Sequence, residues 1–224
     1  MTVVVDWARS LGDVVRGLPR SLPPGVLPYL ARSANSLRKV RTPRQAVEVF
    51  ETETERVLTV VMPLLIEHPL PVRSQAAAKA LVGGTGGVAA AGQEAEALAA
   101  IMSNGAALLP LLPVMLATNL LALTVEVAVA ASLRVHQLRD AGIEPDPNQV
   151  ARDVIVAMTG APSDDHGMGQ YVTKKVVKTI VARVLSRWTK SLVPLAGIAY
   201  SSWDAQRTVD AITALALPEA EADL

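Results

Sequence analysis

The chain has 224 residues and a formal net charge of zero; half its residues are hydrophobic, only 3% are aromatic, and it has no cysteine. That excludes a disulfide framework and a thiolate metal site, and an apolar mass of Ala, Val and Leu favours close-packed helices over a β-sandwich. Balanced charge and scarce aromatic rings also argue against a nucleic-acid partner, which is met by a basic face and stacking side chains.

The charge is zero only in sum. Between Arg9 and Arg44 stand eight Arg or Lys residues and one acid, Asp13; acids dominate from Glu48 to Glu67. From His166 to Trp203 there are six Lys or Arg and no acid, and the tail after Pro218 carries Glu219, Glu221 and Asp223. Basic blocks of this kind attract an anionic surface locally.

The N-terminus, "MTVVVDWARSLGDVVRGLPRS", has a short apolar run interrupted by Asp6 and no small-residue cleavage site, so no secretory signal is expected. Neither end carries a lipidation motif, which makes the cytoplasm or the inner face of the cell membrane the expected location. Residues 3–17 have helical periodicity and lead into the connector "LPRSLPPGVLP", followed by a helix near 26–40. Thr42, Pro43 and Gln45 then form a helix start: an N-cap, a proline at the first helical position and a capping-box glutamine. That helix is expected to reach about Glu67, bent or broken at Pro63.

"SQAAAKALV" begins the next helix, and "GGTGG" at 83–87 lacks the Gly-Lys-Ser/Thr ending of a phosphate loop, so it reads as a break or close-packing point. Gly83, Gly87, Ala91 and Ala95 recur every fourth position, as in helices that approach one another closely.

Residues 105–133 lie in the most apolar part of the chain and are long enough to span a bilayer. Pro110 and Pro113 are expected to bend or split this stretch, and Glu126 in its second half costs about 2.5 kcal/mol or more near a bilayer centre. It therefore reads as the core of a bundle. Asn119 and Glu126 are its candidate buried polar or ligand-site residues, Glu126 being the only charge between Glu96 and Arg134. A buried carboxylate needs a partner, and an Arg, Lys or hydroxyl from another helix is the plain expectation. The helix should stop at Asp140 with Gly142 beyond it. Asp146, Pro147 and Gln149 restart it over 147–159, ending at Gly160.

The loop "APSDDHGMG" holds Asp164, Asp165 and His166, the residues best suited by type to a metal or to acid–base work, though no second ligand pair stands at a recognisable spacing. His136, between Arg134 and Arg139, is expected at a solvated helix end. No nucleophile elbow, zinc-protease motif or dinucleotide fingerprint occurs, so neither a catalytic residue nor a cofactor is assigned.

A helix near 168–192 places Val172, Val176, Val177, Ile180, Val181, Val184, Leu185, Trp188 and Leu192 on one broad face. Lys174 flanks that face on one side, Arg183, Arg187 and Lys190 flank it on the other, and Lys175 and Lys178 lie opposite. An apolar stripe edged with cations suits a helix lying on anionic lipid, with Lys174, Lys175, Lys178, Arg183, Arg187, Trp188 and Lys190 as contacts; it also suits an ordinary helix packed on a core. Pro194 ends the segment, and a last helix covers about 196–216. The fold expected is an all-α multi-helix bundle with long apolar central helices and no β-sheet.

From residue 116 onward three stretches, "LLALTVEVAVAASLRVHQL", "AGIEPDPNQVARDVIVAMTG" and "SLVPLAGIAYSSWDAQRTVDAITALA", resemble the EcsC family of bacterial proteins. Gly142, Glu144, Asp146, Pro147, Pro194 and Gly197 follow that family's outline, while its turn tyrosine is replaced by Ala141. The resemblance divides the chain into an N-terminal helical region at 1–70, an EcsC-like helical region at 71–217 and an acidic tail at 218–224, in one compact unit. It implies a non-catalytic helical protein at the cytoplasmic membrane face with an accessory or regulatory role. The partners expected are an anionic membrane surface or lipid, with a homo-oligomer or protein partner as the alternative for a soluble interaction protein.

Overall fold

The computed structural model describes Pro23 and residues 25–37, 39–84, 108–160, 174–191 and 196–218. All regular structure in them is helical. The elements are α1 (Val26–Leu37), α2 (Pro43–Arg56), a π-turn (Val57–Val61), α3 (Met62–Glu67), α4 (Leu108–Asp140), α5 (Pro147–Thr159), α6 (Lys174–Ser191) and α7 (Ala196–Ala214). A further helical stretch covers 75–84.

The organising element is α4. Its 33 residues, about 50 Å of helix at 1.5 Å per residue, are apolar on all sides, and a helix of that kind must be covered all round. α1, α2, α3, α5 and α7 all pack against it. Met115–Asp140 is long and apolar enough to cross a membrane, yet 83% of its most apolar window is buried inside the protein. α6 lies outside this ring, against α7, α2 and α5. One hydrophobic core joins residues from Val26 to Ile212, so the helices before residue 70 share their interior with those after it.

Three prolines test the sequence reading. Pro110 falls in the first turn of α4, where its missing N–H has no partner to lose. Pro113 lies inside the same helix, which continues through it, so of the expected bend or split the split is corrected to a single element. Of the bend or break expected at Pro63, the break does not occur and a π-turn stands in its place: the Met62 N–H reaches back to the Val57 carbonyl, a five-residue step, just before the proline. Widening one turn accommodates a ring that would otherwise press on the carbonyl four residues back, and the chain runs helically from Pro43 to Glu67.

The helix ends follow local chemistry closely. Thr42 Oγ1 accepts the Gln45 N–H at 3.2 Å, while Gln45 Oε1 accepts the Arg41 N–H at 3.1 Å, one residue earlier than a standard capping box. Asp146 accepts the N–H groups of Asn148 and Gln149 at 3.1 and 3.3 Å, and α5 ends on Gly160 at φ +67°. After α4, Gly142 (φ +76°) allows the Ile143 N–H to reach the Leu138 carbonyl at 2.9 Å and its own N–H to reach Arg139 at 3.0 Å, a Schellman closure.

Candidate functional site

The polar residues buried against α4 divide into those that close on their own helix and those that reach another. Asn119 Nδ2 donates to the Met115 carbonyl at 2.8 Å, and Thr124 and Ser132 hydroxyls bond back to Leu120 and Ala128 in the same manner. Asn119 is thus satisfied within its own turn, as short polar side chains in a buried helix often are. Glu126, only 1% exposed, cannot reach its own backbone so cheaply and meets two other helices.

Its partners come from α6 and α7. Thr208 donates its hydroxyl to Glu126 Oε1 at 2.5 Å, and Arg183 Nη2 stands 3.2 Å from the same oxygen. Arg183 Nε donates to Asp204 Oδ2 at 2.9 Å, and Nη2 to the Asp204 carbonyl at 2.7 Å and to Thr208 Oγ1 at 3.0 Å. Nη1 donates to the Met158 carbonyl in the last turn of α5 at 2.6 Å, where a cation also complements the negative end of the helix. One guanidinium therefore joins α4, α5 and α7 to α6. The planar fork suits this: it offers five donors in fixed directions, whereas an ammonium offers three on a flexible stem.

This corrects the sequence reading of Arg183 as a lipid contact. At 18% side-chain exposure its guanidinium is directed into the bundle, because two buried carboxylates and a helix end leave it better satisfied there than at the surface. The apolar stripe of α6 points the same way: Val177, Ile180, Val181 and Val184 are buried against the core. Lys174, Lys175 and Lys178 are exposed. The side chains of Arg187, Trp188 and Lys190 lie outside the described residues, as do Asp164, Asp165 and His166. Among the described residues no group of three His, Asp or Glu is placed to hold a metal.

Three further networks escaped the sequence reading. Arg134, 2% exposed, donates to Asp153 Oδ2 at 2.7 Å and to the Ala216 carbonyl at 2.8 Å, fastening α4 to α5 and to the segment after α7. His136 is buried, not solvated: its Nε2 lies 2.8 Å from the Leu70 carbonyl, and Ser132 Oγ accepts the Leu70 N–H at 2.8 Å, so α4 holds the connector after α3 at both backbone groups of one residue. Near the other end, Glu53 on α2 is buried and accepts from Ser33 at 2.5 Å, Tyr29 at 3.3 Å and Arg56 at 2.8 Å. Burial, with the Glu53 charge beside it, holds the Tyr29 phenol well above the ordinary tyrosine range. Apolar residues one helical turn away, Val49, Phe50 and Val57 around Glu53 and Ala130, Ala131 and Leu138 around Arg134, are the sequence signal that either is inside, and they name no partner.

Outside the core, a groove of about 340 Å³ runs along the seam between α2 and α6, lined by Glu48, Glu51, Thr52 and Glu55 on one side and by Lys174, Val177 and Lys178 on the other. On α7 Trp203 is about half exposed, with the Arg207 guanidinium 5.0 Å from its ring centre. Comparison of the chain with family models, with curated proteins and with solved structures finds no match.

Proposed function

We propose that the protein is a non-catalytic helical accessory protein that works at the cytoplasmic membrane face, held there by charge at its surface with no helix inserted. The observation that supports this mode is the division of α6: Val177, Ile180, Val181 and Val184 of its apolar stripe are buried in the core while Lys174, Lys175 and Lys178 are exposed. The acid-free stretch from His166 to Trp203, the basic block from Arg9 to Arg44 and the EcsC-like segments support the location. Exposed cations near an anionic leaflet each add about 1 kcal/mol of attraction that fades within a screening length.

The reading predicts that the purified protein floats with vesicles containing anionic lipid at low salt. It predicts release at about 1 M salt, where the screening length falls to about 3 Å. Absence from the vesicle fraction at low salt defeats the membrane location; retention at high salt defeats the charge-only mode. A second reading, a soluble interaction or assembly protein, is favoured by the burial of Met115–Asp140 and by the charged groove between α2 and α6.

A further inference from the structure

The two walls of the groove between α2 and α6 carry opposite charge. Glu48 is paired with Arg44 on its own helix at 3.0 Å. That leaves Glu51 and Glu55 on one wall facing Lys174 and Lys178 on the other, and among the described residues no ion pair joins the walls. The leftover charges are thus two acids in a row along α2 and two bases in a row along α6, separated by the width of the groove, with Val177 on the lysine side.

An acid wall and a base wall flanking one groove are complementary to themselves under one kind of rotation. A two-fold axis running along the groove exchanges the walls, laying the acid row of one copy on the base row of the other. An axis across the groove sets acid on acid. We infer that this seam is an isologous docking surface for a second copy of the chain, with the two-fold axis parallel to the groove. Residue i of one copy then meets residue j of its partner and the reverse, so the four inter-copy pairs form together. Val47, exposed on α2 one turn before Glu51, adds apolar surface beside the acid row.

Partly exposed ion pairs are individually weak, so the dimer expected is a concentration-dependent and salt-sensitive one. Sedimentation velocity from about 10 μM to 0.5 mM should give a rising dimer fraction at low ionic strength and a monomer at about 1 M salt, where charge is screened within about 3 Å. The charge-reversed forms E51K/E55K and K174E/K178E should each be monomeric at low salt, because each sets like charge on like. Mixed in equal amounts they should form a heterodimer, and the four-fold variant carrying both reversals should dimerise again. A wild-type chain that stays monomeric at low salt throughout that range overturns the inference. So do reversed variants that dimerise as the wild type does, or a mixture that does not associate. A reversed variant that fails to fold, as read by circular dichroism, is replaced by E51Q/E55Q, expected to weaken dimerisation at least ten-fold; unchanged association of that variant overturns the inference equally. Lys174 and Lys178 also stand among the cations of the membrane reading, so sedimentation is run without lipid and its outcome is read apart from vesicle flotation.

Discussion

Two sets of charges on α6, nine residues apart or less, illustrate how strongly position around a helix decides what a cation does. Arg183 faces inward, joins Glu126, Asp204, Thr208 and the end of α5, and is mostly hidden from solvent. Lys174 and Lys178 face the groove beside Glu51 and Glu55 in contact with water. The first set is closed: its donors and acceptors meet each other inside the protein, in a medium where an unpaired charge is severely penalised. The second is open: water screens it, and leaving it unpaired costs little. The inner set therefore holds the fold together, and the outer one is free to meet something else.

The largest effect should come from opening the closed set. R183M leaves two carboxylates buried against an apolar side chain, and loss of one partner from a buried charge network costs about 3–5 kcal/mol. At about 2–4 °C per kcal/mol for a chain of this size, thermal melting should fall by roughly 6–20 °C. R183K should fall between, keeping the charge but losing the fork that reaches α4, α5 and α7 together. If E126L/R183M/D204L melts no higher than R183M, the penalty does not arise from stranded charge and the contrast with the groove fails.

A smaller, pH-dependent effect belongs to Tyr29. Its phenol is held above the ordinary tyrosine pKa of 10.0 by burial and by Glu53. The unfolded chain ionises near that ordinary value while the folded chain stays protonated, so above it the unfolded state binds fewer protons and stability falls as pH rises. Below it the contribution is fully present. Urea melts from neutral pH to about pH 11 should give a decline beginning near pH 10 that is shallower in Y29F. The same substitution should cost about 1 kcal/mol at neutral pH, through the hydroxyl's bonds to Glu53. An equal decline in both proteins would mean that other groups govern the alkaline limb.

The smallest effect completes the comparison. E51Q/E55Q should change the stability of the monomer by no more than about 0.5 kcal/mol, because these charges are solvated on the folded and unfolded chain alike. A loss above 1–2 kcal/mol would place the groove charges among the fold's own supports, as a rough threshold on the same scale.

Much of this molecule was legible one residue at a time. Asp146 and Pro147 open α5, Gly160 closes it, Thr42 and Pro43 open α2, and Gly142 terminates α4, all as their residue types require. Helix ends can be read this way because a cap involves groups within a few residues of one another, so the determining chemistry lies in one short window. The all-helical class was legible for a related reason: residue type and apolar spacing act along the chain.

What lay beyond the sequence was everything that needs two distant segments to meet. Glu126 announced that it required a partner, but its hydroxyl donor stands 82 residues away, and no spacing rule names Thr208 or Arg183. The periodicity of α6 defined a stripe without saying whether core or lipid would cover it; for Val177, Ile180, Val181 and Val184, packing against α7, α2 and α5 decided for the core. The prolines at 63 and 113 were visible as obstacles, yet whether a helix breaks or absorbs one depends on what the surrounding packing returns for continuity. Local geometry set where the helices begin and end. Tertiary packing alone decided which charges were enclosed and which were left facing outward, because burial is a property of neighbours that only the folded chain brings together.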